Sequence, residues 1–477
     1  MYWASRRVSE RRNLPFRDET KAAANAALQV AAGRVSRLVT DYPDYFPLYT
    51  DQGRWKHGKE TWTNWCEGFL GGQMWLFYES GLGGDWRSRA EHYSKLVEER
   101  QYDDQVHDLG FVLCPTWKKW WELTGDDTRR QVVIQGGQTM ATRFNSKGRF
   151  LRSFLAPDSI FIDIMMNVGI IAVAGLETED QQLLDVAEQH CETTRKYLVR
   201  GDGSVSHEGI FDLDTGEFLR QTTQQGWRDD SSWARGLAWS LYGFTSMYAL
   251  TGNPHWLATA QLNADYWLEH TAGQNPVPPN DFDESNPIRP WESSAAACAA
   301  GGLIMLASLV ADDDQAQRYH AHAEATIARL CEPEFVAHEE ESRQPCWVVW
   351  RRNSPVSRSK MPSWLTDPSP RTRYFRVVSQ CCSATSRSSW SSVSRPARAM
   401  MPTFIMMSMK LESAARKERR NRPFVLKRVA IVLPPWMTTS RLVGSPVSSH
   451  HFFQVGQRTK PRSWTWSSYW RSSTSRV

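Results

Sequence analysis

At 477 residues the chain can form one large domain or two to three ordinary ones, and its net charge of +5 conceals a strong asymmetry. Residues 341–477 hold 20 Arg and 5 Lys against 4 acids, a balance of +21, which leaves 32 bases against 48 acids, or −16, for residues 1–340. No apolar run is long enough for a membrane span, and the eight cysteines form neither paired CxxC motifs nor a regular framework, which argues against a zinc site and a disulfide scaffold. The opening MYWASRRVSERRNLPFRDE lacks the apolar centre of a secretory signal, so the expected location is cytoplasmic.

Residues 1–20 read as a disordered N-terminal segment. From about Lys21 to Cys331 apolar residues recur at helical spacing, and each run ends on a Gly or an acidic turn, which predicts about eleven helices. They begin with AAANAALQVAAGRVSRLV, WCEGFLGGQMWLFYESG, DWRSRAEHYSKLVEER and DLGFVLCPTWKKWWELTG. DDTRRQVVIQGGQTMATRF, FIDIMMNVGIIAVAGLE, DQQLLDVAEQHCETTRKYLV and DSSWARGLAWSLYGFTSMYALTG follow. NPHWLATAQLNADYWLEHTAG, SAAACAAGGLIMLASLV and DDDQAQRYHAHAEATIARL complete the series. Only Ser204–Phe218, around the turn DLDTGE, reads as a hairpin of strands.

The helices pair across joints near Gly125, Gly175, Gly252 and Asp312, where an apolar helix ends and an amphipathic one begins. Stacked hairpins of this kind bury their apolar faces only against neighbours. Twelve such helices close into a toroid of six inner and six outer helices, with an open solenoid as the alternative. The long aromatic loops Asp41–Thr61 and Gly273–Glu292 read as walls of one pocket and favour the toroid.

Within this framework QQGWRDDSSWARGLAW, Gln224–Trp239, joins a loop carrying Gln225, Asp229 and Asp230 to a helix on which Arg235 and Trp239 share one side. A cation beside an indole suits a sugar that bears a carboxylate. The same residues also read as a capped core helix, with Asp230 or Ser231 meeting free amides and Trp233 and Trp239 filling core. Asp163, inside IFIDIMMN, is flanked by Phe161, Ile162, Ile164 and Met165. Burial there raises a carboxyl pKa, as a general acid requires, although a buried Asp bonded to a neighbouring helix fits the same pattern. Asp108 in HDLGF reads either as a second carboxylate or as an ordinary helix entry.

After Gln344 the periodicity stops, Ser and Arg dominate, and eight Trp are scattered without a period. Residues 341–477 therefore read as a basic Ser/Arg/Trp-rich tail, disordered or translated from a wrong gene model. Nucleic-acid binding, with Lys and Arg on phosphate and Trp on bases, is the functional alternative.

HDLGF, the apolar run ending DIMMN, the segment DGSVSHEGIFD around His207 and QGWRDDSSWARGLAW occur here in order, and with them the chain resembles the unsaturated glucuronyl hydrolases of glycoside hydrolase family 88 over roughly Tyr42–Leu330. The resemblance implies an all-α (α/α)6 barrel in residues 21–340. It also implies a substrate that is an oligosaccharide ending in a Δ4,5-unsaturated uronic acid, as a polysaccharide lyase leaves it. In that chemistry an acid protonates C4, positive charge develops at C5 and the ring oxygen, water adds at C5, and the hemiketal opens to release the next sugar. By motif, Asp163 matches the general acid and base and Asp108 the second essential carboxylate. His207, Gln225, Arg235 and Trp239 match substrate-binding positions, with Trp239 stacking on a sugar face. No metal or other cofactor is implied.

The chain departs from the family pattern at Asn280–Asp281–Phe282, where Trp-Asp-Phe is usual, and at Glu292, where Asp usually precedes the Ser-Ser-Ala helix. Beyond Glu332 it supplies neither the expected serine-bearing pocket loop nor a recognisable twelfth helix, so the barrel is expected to be incomplete at that end. An unsaturated rhamnogalacturonyl hydrolase on the same barrel and a catalytically impaired carbohydrate-binding homologue are the competing readings.

Overall fold

A computed structural model of the chain describes residues 12–47, 50–51, 54–55, 65–273, 275–287 and 291–336. The basic tail, its nucleic-acid reading, the expected twelfth helix and the pocket loop beyond Glu332 lie outside the described residues. So do residues 48–49, 52–53 and 56–61 of the predicted loop 41–61.

Among the described residues there are eleven helices, in the order the periodicity predicts: α1 (Asp18–Asp41), α2 (Glu67–Glu79), α3 (Trp86–Leu96), α4 (Leu109–Leu113, continued by a π turn Cys114–Lys118 and by Lys119–Thr124), α5 (Asp127–Ala141), α6 (Gly169–Thr178), α7 (Gln181–Tyr197), α8 (Ala234–Thr251), α9 (Pro254–His270), α10 (Ser293–Leu309) and α11 (Asp313–Leu330). The even-numbered helices are inner. In α8 every residue from Ala234 to Met247 is buried, and in α10 all but Ser294. The odd-numbered helices are outer and bury one face each, as α7 does through Leu183, Ala187, His190, Cys191 and Thr194. This alternation is the (α/α)6 barrel architecture. No helix among the described residues is long and apolar enough to cross a membrane.

Two of the four predicted joints rest on glycine in the left-handed region, Gly125 (φ 71°) after α4 and Gly252 (φ 75°) after α8. The joint predicted near Gly175 falls at Glu179–Asp180: α6 runs on to Thr178, Glu179 (φ 57°) takes the left-handed position, and α7 follows from Gln181. Residues 12–20, expected from the sequence to belong to a disordered leader, are packed: Phe16 is buried against His320, and Arg12 pairs with Asp313 at 2.5 Å.

The predicted hairpin forms between β2 (Glu208–Phe211) and β3 (Phe218–Thr222), shifted slightly toward the C-terminus. Sequence reading missed its third member, β1 (Ser159–Phe161), which pairs antiparallel with β2 through Phe161 opposite Glu208. Three residues are too short for a period-2 signal, and the apolar run that follows reads as helix. That run instead makes one 3₁₀ turn, Ile162–Met166, before α6 begins at Gly169. The turn packs on α8 because residue 243 is glycine; a Cβ there would stand 2.4 Å from the Met165 carbonyl oxygen.

Candidate active site

The start of α4 and the 3₁₀ turn bring Asp108 and Asp163 together. Asp108 precedes α4, where an acidic side chain ordinarily accepts a bond from the first helical turn, yet it caps nothing. The Phe111 amide is met instead by Asn167 Oδ1 at 2.7 Å, while Asn167 Nδ2 donates to the Asp163 carbonyl at 3.1 Å. One asparagine thus caps the Asp108 helix and ties it to the Asp163 turn. Gly110 permits the approach, since a Cβ there would lie 2.6 Å from Asn167 Cα.

Strand pairing sets His207 beside Asp163. The Ile162 amide donates to the His207 carbonyl at 3.0 Å, and His207 Nε2 lies 3.4 Å from Asp163 Oδ2. Because the Gln224 amide donates to His207 Nδ1 at 2.9 Å, the proton of the neutral ring is on Nε2, facing the carboxylate. The arrangement recurs at His107: the Phe154 amide donates to Nδ1 at 3.0 Å, and Nε2 faces Asp108 Oδ1 at 3.4 Å. Phe161 stands between the two imidazoles, its centroid 4.8 Å from that of His207 and 5.8 Å from that of His107.

Burial first, and the charge of Asp163 second, push the Asp108 carboxyl up to about 8 against the opposing pull of Arg143 and Arg100. Asp108 therefore holds a proton through the neutral range. Burial drives His107 the other way, well below its ordinary value, with Arg143, His190 and His207 adding to the effect, so its imidazole is neutral.

Arg235 and Trp239 share one face of α8, but the face points into packing. The Arg235 guanidinium lies 4.4 Å from the Trp233 ring centroid and 5.3 Å from that of Trp239. It pairs with Glu292 Oε1 at 2.8 Å and donates to Gln225 Oε1 at 3.0 Å and Ser294 Oγ at 3.3 Å. The Gln225 amide nitrogen stands 3.4 Å from His207 Nε2, which puts this side chain next to both of the expected polar residues. Trp239, expected to offer a stacking face, is only 4% exposed and sits among Trp65, Phe111 and Trp233. Here the core reading of that indole describes its surroundings better.

The paired acids of the loop stand apart from this group. Asp229 accepts from the Thr222 hydroxyl and the Thr223 amide at 3.1 and 3.2 Å, and Asp230 pairs with Arg228 at 2.5 Å on the exposed surface. Neither Asp230 nor Ser231 caps α8; its first amide, Ala234, donates to the Asn280 carbonyl. The acid that organises the loop is Asp281, fully buried, which accepts from the Trp227 amide at 2.8 Å and the Ser231 hydroxyl at 2.7 Å. Both departures from the family pattern thus have partners in space, Asp281 with the loop and Glu292 with Arg235. Sequence reasoning missed His107, Asn167 and these two roles. The only signal for His107 is its place directly before Asp108.

A family model described as Glycosyl Hydrolase Family 88 matches residues 37–267, a range that holds all six predicted site residues. An unsaturated glucuronyl hydrolase of Formosa agariphila is 32% identical over 253 residues, 51% of this chain and 63% of that protein. The chain thus matches less than two thirds of that relative's length. An unsaturated glucuronyl hydrolase of Bacillus sp. (strain GL1) is 31% identical over 317 residues, 64% of this chain and 83% of that protein. The crystal structure of the unsaturated glucuronyl hydrolase responsible for degradation of glycosaminoglycan from Bacillus sp. GL1 superposes with a TM-score of 0.60 at 29% identity, covering 65% of this chain and 84% of that one. With the sequence motifs, the alternating helical barrel and these likenesses in agreement, the chain belongs to Glycosyl Hydrolase Family 88.

Proposed function

We propose that this chain is an unsaturated glucuronyl hydrolase that removes a terminal Δ4,5-unsaturated uronic acid from lyase-generated oligosaccharides of the glycosaminoglycan class, by hydrating the C4=C5 double bond. The observation that carries the reading is the Asp108–Asp163 pair, two buried carboxyls each faced by an imidazole Nε2, of which Asp108 retains a proton to about pH 8. At neutral pH Asp108 holds a proton. That proton passes through Asp163 to C4. Positive charge then develops at C5 and the ring oxygen beside two carboxylates, a low-dielectric setting in which opposite charge is strongly stabilised. Water adds at C5 and yields a proton to Asp163, which restores the pair, and the hemiketal opens to release the next sugar. Asp163 is assigned the transfer because its Oδ2 is buried with no hydrogen-bond partner among the described residues, a state that a substrate or a water relieves. His207, Gln225 and Arg235 hold the uronate, with Trp239 as the wall behind Arg235.

The test is the ultraviolet absorbance of an unsaturated chondroitin or hyaluronan disaccharide, which falls as the conjugated double bond is hydrated. The wild-type chain bleaches it and Asp163→Asn does not. Bleaching by Asp163→Asn at the wild-type rate removes Asp163 from the mechanism, and no bleaching of any unsaturated uronate by folded wild-type chain removes the function.

A further inference from the structure

We infer that His107 is a positioning residue for Asp108, an Nε2–H donor held in reserve that closes on the Asp108 carboxylate when it loses its proton during turnover; the inference rests on the reaction proposed above. His107 is fully buried, and its Nε2 has no hydrogen-bond partner among the described residues although a carboxylate oxygen stands 3.4 Å away. A buried donor left unpaired is costly, so its retention calls for a use. Its direction is set from the other side of the ring, where the Phe154 amide occupies Nδ1 at 3.0 Å and leaves only Nε2 to carry the proton. Phe154 and Phe161 pack on the ring and prevent it from turning away, at centroid distances of 5.1 and 5.8 Å. Catalytic hydrogen bonds are often long before substrate binds and tighten in the working complex. The groups that act electrostatically on this pair are Asp163, Arg143, Arg100 and Asp103 on Asp108, and Arg143, His190 and His207 on His107; Cys66 also lies within reach of Asp108.

Two substitutions separate the two ring nitrogens. His107→Asn keeps an acceptor for the Phe154 amide and loses the distal donor, whereas His107→Gln keeps a donor at the distal position. With the unsaturated chondroitin disaccharide, His107→Asn lowers kcat by about 10- to 100-fold at little change in KM, the size of loss that misplacing one catalytic group produces. Its alkaline limb moves to higher pH, because a donor that favours the ionised carboxylate is gone. His107→Gln restores most of kcat and the wild-type limb. Equal losses in both variants with no movement of the limb make His107 a packing residue and overturn the inference, as does full activity of a folded His107→Asn. Failure of the wild type to bleach the substrate is a separate result, which sinks the reaction and not the geometry.

Discussion

The outer and inner helices begin in different ways. Four of the outer helices carry a side-chain cap: Asp126 accepts from Thr128 at the start of α5, Asp180 from Gln182 and Leu183 at α7, Asn253 from His255 at α9 and Asp312 from Gln315 at α11. The inner helices start at Cys66, Asp108, Val168, Trp233 and Glu292, and none of these side chains caps its own helix. Two of the five are carboxylic acids at a position where an acid ordinarily caps. Their carboxyls are turned elsewhere, Asp108 toward His107 and the Asp163 turn, Glu292 onto Arg235. The free amides are met from a distance, by Asn167 for α4 and by the Asn280 carbonyl for α8. At these two inner starts the acid forgoes its local bond for a partner on another segment, whereas the uncapped Asp85 of outer α3 pairs only with Arg89 of its own helix.

Several substitutions break this contrast or sharpen it. The largest effect is expected at Asp163→Asn, a loss of kcat of about 10³-fold or more with an unchanged melting curve. Next comes Glu292→Ala. It leaves the buried Arg235 guanidinium without its carboxylate and should cost about 3–5 kcal/mol in denaturant unfolding, where an outer cap costs far less.

Asp108→Asn tests the same contrast through pH. The folded chain raises the Asp108 carboxyl from 3.8 to about 8, so the protonated form is favoured in the folded state. Its contribution to stability is full below the ordinary value and is lost as pH climbs toward about 8. The variant lacks that decline, so its melting temperature relative to wild type should rise between about pH 4 and about pH 8. His107 and His190, buried and neutral, lose stability on the acid side in both proteins, and the difference between the two cancels that part. A flat difference would place the proton elsewhere.

Asn167→Ala removes the cap of α4 and the tie to the Asp163 turn at once. A loss of about 1–3 kcal/mol is expected, with a fall in kcat that Asp180→Ala does not share. The smallest effects belong to the outer caps: Asn253→Ala and Asp312→Ala should each cost about 1 kcal/mol in thermal unfolding and leave kcat unchanged. A substantial loss of kcat in either of them would end the division between structural and functional helix starts.

The outer starts are legible in the sequence because the cap, the following acid or polar residue and the amphipathic run are contiguous there. Asp126, Asp180, Asn253 and Asp312 all stand where the pattern places a helix entry. The inner starts are partly legible. HDLGF, IFIDIMMN and QGWRDDSSWARGLAW stand out as motifs, but the reasons for their composition lie in each other. Gly110 is explained by Asn167, 57 positions on, and Glu292 by Arg235, 57 positions back. The loop acids mislead for the same reason. Asp229 and Asp230 look like ligands in isolation, while Asp281, 51 positions beyond Asp230, is the one that holds the loop.

The sequence by itself determined the helical hairpins and their order and singled out Asp163 and Asp108 as candidate carboxylates, because periodicity and short motifs are written within a few turns of chain. The tertiary structure alone decided that Asn167 rather than Asp108 caps α4, that Arg235 is matched by Glu292, that Trp239 is enclosed by aromatic rings and that His107 and His207 face their carboxylates in the same manner. These are contacts between segments brought together only by closure of the helical stack, where burial sets which groups hold a proton and which must find a partner.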